Sequence, residues 1–209
     1  MKRKPLVSKW TWYAVFILAL CVLVYTLYPF PKGLRVQRVI DGDTIELNNG
    51  ERVRYIGIDT PEKEEPFFRE ATQANQEMLR GKKINLEYDV EKKDAYGRAL
   101  AYVWVDTLMV NAELVKEGLA RVYMISPNLK YRNRFISLQE PVRKARIGIW
   151  SVPVAPDKYY VASRKSERFV FHRPECEWAK KIKGTNMLRF DTRDEALAQG
   201  YSPCRTCKP

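Results

Sequence analysis

Three short blocks of the sequence carry acids and arginines beside glycine or proline, namely residues 40–44, 54–62 and 94–102. Carboxylates at the ends of strands near such residues can converge on a hard divalent cation, because Ca²⁺ and Mg²⁺ prefer oxygen ligands. Arginines close to that cation would pair with a phosphate, whose oxygens match the guanidinium fork. The pattern indicates a phosphodiesterase site, in which the metal and the arginines neutralise developing charge and a free carboxylate orients water.

A simpler interpretation stays open for each block taken alone. Asp41 and Asp43 could merely build a turn around Gly42, as Asp and Gly often do. Arg54 and Arg98 would then be surface charges without a chemical role. The blocks become informative when they are taken together.

A second candidate centre uses the cysteines and the histidine near the C-terminus. The chain has four Cys and one His, and only Cys21 lies far from the others. The spacing is His172-x₃-Cys176, a gap of 27 residues, and Cys204-x₂-Cys207. Three thiolates and one imidazole complete a tetrahedral zinc site, which would also stabilise a segment too small for a large core. A Cys204–Cys207 disulfide and unpaired thiols remain as alternatives.

The elements that must position the first three blocks are short strands interspersed with helices. Asn48-Asn49-Gly50 is a hairpin signal, and Pro141 is expected to kink or shorten the helix that contains it. Five strands and three helices predict an α+β fold with a five-stranded OB-type β-barrel. The strands are expected at 34–40, 44–47, 52–58, 83–90 and 100–105, and the helices at 67–80, 109–117 and 132–145.

The first 31 residues are typical of a membrane anchor. Four cations among residues 2–9 precede an uncharged run from Trp10 to Tyr28, close to the roughly 20 residues that span a hydrocarbon core. Aromatic residues at both ends of the run suit the two interfaces, and the preceding cations place the N-terminus inside and the bulk of the chain outside. A cleaved signal peptide and a buried soluble helix are the alternatives.

Composition and charge define the remaining organisation of the 209 residues. With 45% hydrophobic and 30% charged positions, the chain suits one or two globular domains and is neither disordered nor fibrous. The net charge of +12 lies mostly at the two ends, so charge alone does not make residues 34–150 a nucleic-acid binder. Prolines near 151–156 indicate a linker. The predicted divisions are an anchor at 1–31, a domain at 34–150, a linker at 151–164 and a small module at 165–209.

The three blocks together resemble the thermonuclease (staphylococcal nuclease-like) family, in family order and at similar spacing, over about Leu34 to Trp150. Flanking residues 110–115 and 118–120 agree as well. The resemblance implies the role of each site residue. Asp43 and Asp59 would bind Ca²⁺ through their side chains and Thr60 through its carbonyl. Glu62 would position or activate the attacking water. Arg54 and Arg98 would hold the scissile phosphate, and Tyr96 and Tyr123 would contact the nucleotide.

The same resemblance implies a Ca²⁺-dependent nuclease that cleaves DNA and RNA and leaves 3′-phosphate ends. Together with the predicted N-terminal anchor, this resemblance predicts a single-pass protein of a bacterial cell membrane with its catalytic domain outside the cytoplasm. No protein partner is predicted. The rival class is a non-catalytic nucleic-acid-binding surface protein, because a fold does not fix a function. A pure binder has no chemical need for all five chemical side chains, which are Asp43, Arg54, Asp59, Glu62 and Arg98.

The C-terminal module resembles the metal-binding domain of the Ada DNA-repair protein over roughly residues 165–208. The resemblance is carried by residues 171–179, 194–196, 200–201 and 203–207. That domain uses four cysteines, whereas here His172 replaces one, which argues against the methyl-accepting reaction. The module is therefore expected to be a structural zinc-binding α/β unit, whose positive charge would suit DNA.

Overall fold

The computed structural model describes residues 10, 13, 16–20 and 33–209. Residues Leu34–Pro209 form one compact unit. The anchor predicted at residues 1–31 lies mostly outside the described residues. Among the residues that are described, no helix has both the length and the apolar character needed to cross a membrane.

The first part of this unit is a six-stranded sheet with a separate strand pair. The strands are β1 (Val36–Val39), β2 (Thr44–Leu47), β3 (Arg52–Tyr55), β4 (Ile58–Asp59), β5 (Asn85–Glu87), β6 (Ala99–Val105), β7 (Leu108–Met109) and β8 (Arg121–Val122). The sheet has the order β1-β2-β3-β6-β5, and β7 pairs with β6. Its pairs are antiparallel apart from β3 with β6, and β4 pairs with β8 away from the sheet.

The α+β class is confirmed, but the predicted five-stranded barrel needs two corrections. The barrel does not close, because β5 has only three residues and a single isolated bridge, between Arg35 and Lys83, links its end of the sheet to β1. The strand predicted at 52–58 is also broken. Gly57 takes a φ of +81° between β3 and β4, and a Cβ there would lie 2.7 Å from the Phe135 ring, so the chain leaves the sheet at this point.

Three helices pack against the sheet, close to where the sequence predicts them. They are α1 (Phe68–Leu79), α2 (Val110–Lys116) and α3 (Arg132–Lys144). Pro141 lies inside α3, and the helix nevertheless continues to Lys144. Of the two predicted effects, a kink or a shortening, the shortening does not occur. The core between the sheet and the helices is apolar and fully buried, with Ile45, Val53, Ala101, Val103, Leu114 and Phe135 among its members.

The C-terminal part has its own small sheet and two short helices. The strands are β9 (Tyr160–Ser163), β10 (Val170–His172), β11 (Met187–Phe190) and β12 (Ser202–Pro203), in the order β11-β9-β10-β12. The helices are α4 (Glu177–Lys180) and α5 (Arg193–Ala198), and the Thr192 side chain caps α5 by accepting a bond from the Glu195 N–H. Strand β9 lies within residues 151–164, the segment predicted to be a linker.

The C-terminal part packs against the β8–α3 side of the first part. The Ser202 hydroxyl donates to the Val122 carbonyl, and Arg143 of α3 forms an ion pair with Asp194 at 2.5 Å. Arg132 also donates to the Gln199 carbonyl. These contacts bring the last β-strand of the chain close to the loop that follows β4.

Candidate active site

The turn between β1 and β2 is held in place from two sides. The Asp41 carboxylate accepts the Asp43 N–H at 2.9 Å within the turn. From α1, the buried Asn75 side chain donates to the Asp41 carbonyl at 3.0 Å and accepts the Tyr55 hydroxyl at 2.8 Å. Gly42 is required here, because a Cβ would lie 2.7 Å from the Thr60 hydroxyl. The turn therefore directs Asp43 toward the segment that follows β4.

Asp43 and Asp59 form a buried pair of carboxylates beside Thr60. Asp43 accepts the Thr60 N–H at 2.9 Å and the Thr60 hydroxyl at 3.1 Å. Burial raises the pKa of Asp43 to about 6, although the nearby Arg54 guanidinium works in the opposite direction. Two buried carboxylates supply oxygen donors of the kind that Ca²⁺ prefers, so the residues present fit such an ion.

Arg54 lies between the two carboxylates. Its Nη2 is 3.1 Å from an oxygen of Asp43 and 3.3 Å from an oxygen of Asp59. Its Nη1 donates to the Tyr55 carbonyl at 2.7 Å. The guanidinium is thus oriented by three partners and largely shielded from solvent, with a side chain that is 12% exposed.

Arg98 is positioned by an Asp-turn before β6. The Asp94 carboxylate accepts the N–H groups of Tyr96 and Arg98 at 2.9 and 3.0 Å, and it pairs with Arg98 Nε at 2.7 Å. The Arg98 guanidinium lies 5.7 Å from the centre of the Tyr96 ring. Tyr96 itself is 87% exposed, which leaves its ring free to meet a ligand.

One cleft of about 860 Å³ collects most of the residues predicted from the sequence. Two of the predicted residues do not line this cleft. Asp59 borders a neighbouring cavity, which Glu62 also lines, and Thr60 is buried beneath Asp43. Glu62 is exposed to solvent. The structure therefore brings the candidate residues together in one place. The predicted residues that line the main cleft are Asp43, Arg54, Glu62, Tyr96, Arg98 and Tyr123.

The C-terminal part contributes a residue that the sequence did not indicate. The Arg205 guanidinium contacts Asp59, lies 2.9 Å from Glu62 Oε1 and sits 5.9 Å from the centre of the Tyr123 ring. Arg205 is 146 positions from Asp59, so no local pattern joins them. Arg121 is a second such cation, with its Nε 3.6 Å from Asp59.

The four predicted zinc ligands also come together. The ligand atoms of His172, Cys176, Cys204 and Cys207 all lie within 4.8 Å of one another, and Nδ1 of His172 is 3.6 Å from Cys176 Sγ. Tetrahedral zinc with ordinary bond lengths separates its ligand atoms by about 3.5–3.8 Å. Burial lowers the pKa of His172, which favours the neutral imidazole that binds metal. These three cysteines are free thiols in the structure, so the alternative disulfide is not formed.

Comparison with known proteins assigns both parts of the chain. The model of the staphylococcal nuclease homologue family matches residues 52–152. The thermonuclease of Staphylococcus hyicus is 43% identical over an alignment of 126 residues that covers 56% of this chain and 75% of that protein. The chain belongs to the thermonuclease family. Its enzyme class is accordingly that of a nuclease, a hydrolase.

Further similarities agree with this membership of the thermonuclease family. The thermonuclease of Staphylococcus intermedius is 44% identical over an alignment of 124 residues that covers 55% of this chain and 74% of that protein. The endonuclease YncB of Bacillus subtilis (strain 168) is 41% identical over an alignment of 130 residues that covers 57% of this chain and 62% of that protein. The metal-binding domain of Ada matches residues 152–209, which confirms the predicted kind of C-terminal module.

Proposed function

We propose that this thermonuclease-family chain is a Ca²⁺-dependent nuclease that hydrolyses DNA and RNA and leaves 3′-phosphate ends. The observation that carries the proposal is the meeting of two buried carboxylates, an exposed Glu62 and two guanidinium groups around one cleft and the cavity beside it. Cleavage would break the bond between phosphorus and the 5′ oxygen. This choice of bond is supported by family membership.

Each residue of the cleft has a distinct task in this proposal. Asp43, Asp59 and the Thr60 carbonyl would hold Ca²⁺, which when bound supplies positive charge to the phosphate. Arg54 and Arg98 bind the phosphate oxygens and stabilise the charge that develops on them. Glu62 is exposed beside them, where it accepts a hydrogen bond from the attacking water and takes its proton. The rings of Tyr96 and Tyr123 contact the nucleotide.

A gel assay of the purified chain tests this function. Single-stranded DNA, duplex DNA and RNA are incubated with Ca²⁺ or without it, beside Glu62→Gln and the control Glu64→Gln, which changes a neighbouring exposed carboxylate. Cleavage that needs Ca²⁺, is lost in Glu62→Gln and persists in Glu64→Gln is the expected result. Nucleic acid that is shifted on the gel yet stays intact under every condition would instead favour the rival binding protein.

We also propose that His172, Cys176, Cys204 and Cys207 hold one structural Zn²⁺. The support is the spacing of their ligand atoms and the family of the module. Metal analysis of the purified chain should give about one zinc per chain, and Cys207→Ser should reduce it. An unchanged zinc content in that variant would place the metal elsewhere.

The membrane anchor remains a proposal that rests on the sequence alone. The uncharged run from Trp10 to Tyr28 supports a single-pass anchor, and the cations before it support an extracytoplasmic catalytic domain. Fractionation of cells followed by protease treatment of intact spheroplasts checks both points. A chain that stays with the membrane and is digested from outside is expected, whereas release into the soluble fraction would contradict the anchor.

A further inference from the structure

A second groove lies directly beside the catalytic cleft, where the C-terminal module meets the nuclease domain. It encloses about 410 Å³, which is within the range of small-molecule sites. Tyr123, Arg168 and Arg205 border both the groove and the catalytic cleft. A ligand that extends from the scissile position can therefore pass from one cavity into the other.

The wall of this groove combines aromatic rings with cations. Trp178 is 48% exposed, an unusual state for so large an apolar ring, and Lys181 Nζ lies 4.2 Å from its centre. Arg168 is exposed at the rim, and Arg205 stands at the junction with the cleft. None of the described residues that line the groove is acidic. Three thiolates and one Zn²⁺ would add a net charge of only −1 at its floor, so the rim stays cationic.

Aromatic rings beside cations are how proteins hold single-stranded nucleic acid, because every base has a face that can stack and every phosphate is an anion. We propose that the groove is a nucleobase subsite, which takes a nucleotide near the one that is cleaved, with its base on Trp178 and its phosphate near Arg168. This inference rests on the proposed nuclease function. It makes the C-terminal module part of the substrate-binding surface.

The module is built to keep Trp178 in this place. Cys176, a predicted zinc ligand, lies two residues before Trp178 at the start of α4, and two more ligands, His172 and Cys204, line the groove itself. A base that stacks on Trp178 would therefore meet a ring whose backbone is fixed by the metal centre. Pre-organisation of this kind lowers the entropic cost of binding.

Binding of an oligothymidylate of eight nucleotides to the full chain, in buffer without Ca²⁺, tests the subsite. Loss of one stacked base should weaken binding of the single strand by about 5- to 150-fold in Trp178→Ala. The control Met187→Ala removes another partly exposed apolar side chain of the same module and should have no effect. Trp178→Phe should restore most of the affinity.

Binding of duplex DNA distinguishes base stacking on Trp178 from a general electrostatic attraction. Its paired bases present no free face, so Trp178→Ala should leave its binding unchanged, whereas a general loss of positive potential would weaken both substrates. Quenching of tryptophan fluorescence by the oligothymidylate should be present in the wild type and smaller in Trp178→Phe. Wild-type affinity for the single strand in Trp178→Ala would overturn the subsite, as would equal quenching in Trp178→Phe.

The fate of the subsite and that of the proposed function can be told apart. Binding is measured without hydrolysis, and zinc content is measured on every variant to show that the module is intact. If the chain cleaves in Ca²⁺, yet Trp178→Ala keeps the wild-type KM for the oligonucleotide, only the subsite proposal is refuted. If the chain binds the oligonucleotide through Trp178 but never cleaves it, only the nuclease proposal is refuted.

Discussion

At the residue scale, the two arginines of the cleft differ in what else they hold. Arg54 pairs with both Asp43 and Asp59, so its removal would disturb the carboxylates that are proposed to bind Ca²⁺. Within the part of the chain that the structure describes, the only ion pair of Arg98 is with Asp94, which is outside that cluster. A change at Arg98 therefore isolates the interaction with phosphate more cleanly than a change at Arg54.

Arg98→Ala is expected to lower kcat by about 10²- to 10³-fold, because it removes a charged donor from the developing charge on the phosphate. Steady-state kinetics on single-stranded DNA at saturating Ca²⁺ measures the effect. Arg52→Ala is the matched control, since Arg52 is an exposed arginine that faces Glu46 at 3.6 Å. Near-wild-type turnover of Arg98→Ala would show that the site has been assigned wrongly.

Arg205 contacts the same carboxylate that is proposed to bind Ca²⁺. Two cations compete for one carboxylate, so Arg205→Ala should tighten the binding of Ca²⁺. The Arg205 side chain is 52% exposed. Because exposed ion pairs are weak, the Kd for Ca²⁺ should fall only about 2- to 5-fold. Calorimetry without nucleic acid measures it directly.

Lys208→Ala is the control for this change, because it removes the neighbouring pair of Lys208 with Glu65 and leaves Asp59 untouched. It should not alter the Kd for Ca²⁺. A Kd in Arg205→Ala that equals the wild-type value would mean that Arg205 does not compete for the site.

At the scale of elements, the helices follow from the sequence, because the signals that end and pattern them are local. Those predicted at 67–80, 109–117 and 132–145 each agree with the structure to within one residue at either end. The break between β3 and β4 does not follow, because it depends on Phe135 packing against Gly57 from a distant helix. Closure of the barrel likewise depends on pairing between strands remote in sequence.

Helix α1 also supports the catalytic turn through Asn75. This fully buried side chain joins the Tyr55 hydroxyl to the Asp41 carbonyl. Asn75→Ala leaves both groups without their partner, which should lower the free energy of unfolding by about 1–3 kcal/mol. Denaturant unfolding measures the loss. Gln76→Ala, at the next and exposed position of the same helix, should change stability little, and equal effects of the two variants would contradict the role of Asn75.

At the scale of the whole molecule, the sequence identifies the parts but not their docking. The four zinc ligands are predicted from their types and spacing, and the acids and arginines of the cleft from the resemblance of their blocks to the thermonuclease family. The approach of Arg205 to Asp59 depends on two folded surfaces that meet, including the contacts of Ser202 with Val122 and of Arg143 with Asp194. A prediction of separate domains with a linker at 151–164 gives no means of finding such a contact.

This docking should connect the zinc centre to the calcium site. Arg205 lies between the ligands Cys204 and Cys207, and Lys208 beyond them pairs with Glu65. The backbone of this loop is held by hydrogen bonds, such as that of the Cys204 N–H to the Phe171 carbonyl at 2.9 Å and that of Arg173 Nε to the Cys207 carbonyl at 3.0 Å. Zinc would add the anchoring of the Cys204 and Cys207 side chains, so without it Arg205 should be held less firmly against Asp59. Cys176→Ser removes a zinc ligand that is remote in sequence from Arg205. It should therefore tighten Ca²⁺ binding, as Arg205→Ala does.

A double-mutant cycle decides whether the two changes act through one contact. If zinc works by holding Arg205, Cys176→Ser should have no further effect on the Kd for Ca²⁺ once Arg205 is Ala, and the effects will be non-additive. Calorimetry on the four proteins measures this, with zinc analysis to verify that the metal is lost. Met187→Ala, elsewhere in the module, should leave the Kd unchanged. Additive effects would mean that the zinc centre and Arg205 influence the calcium site independently, because two changes that remove the same contact cannot both contribute in full.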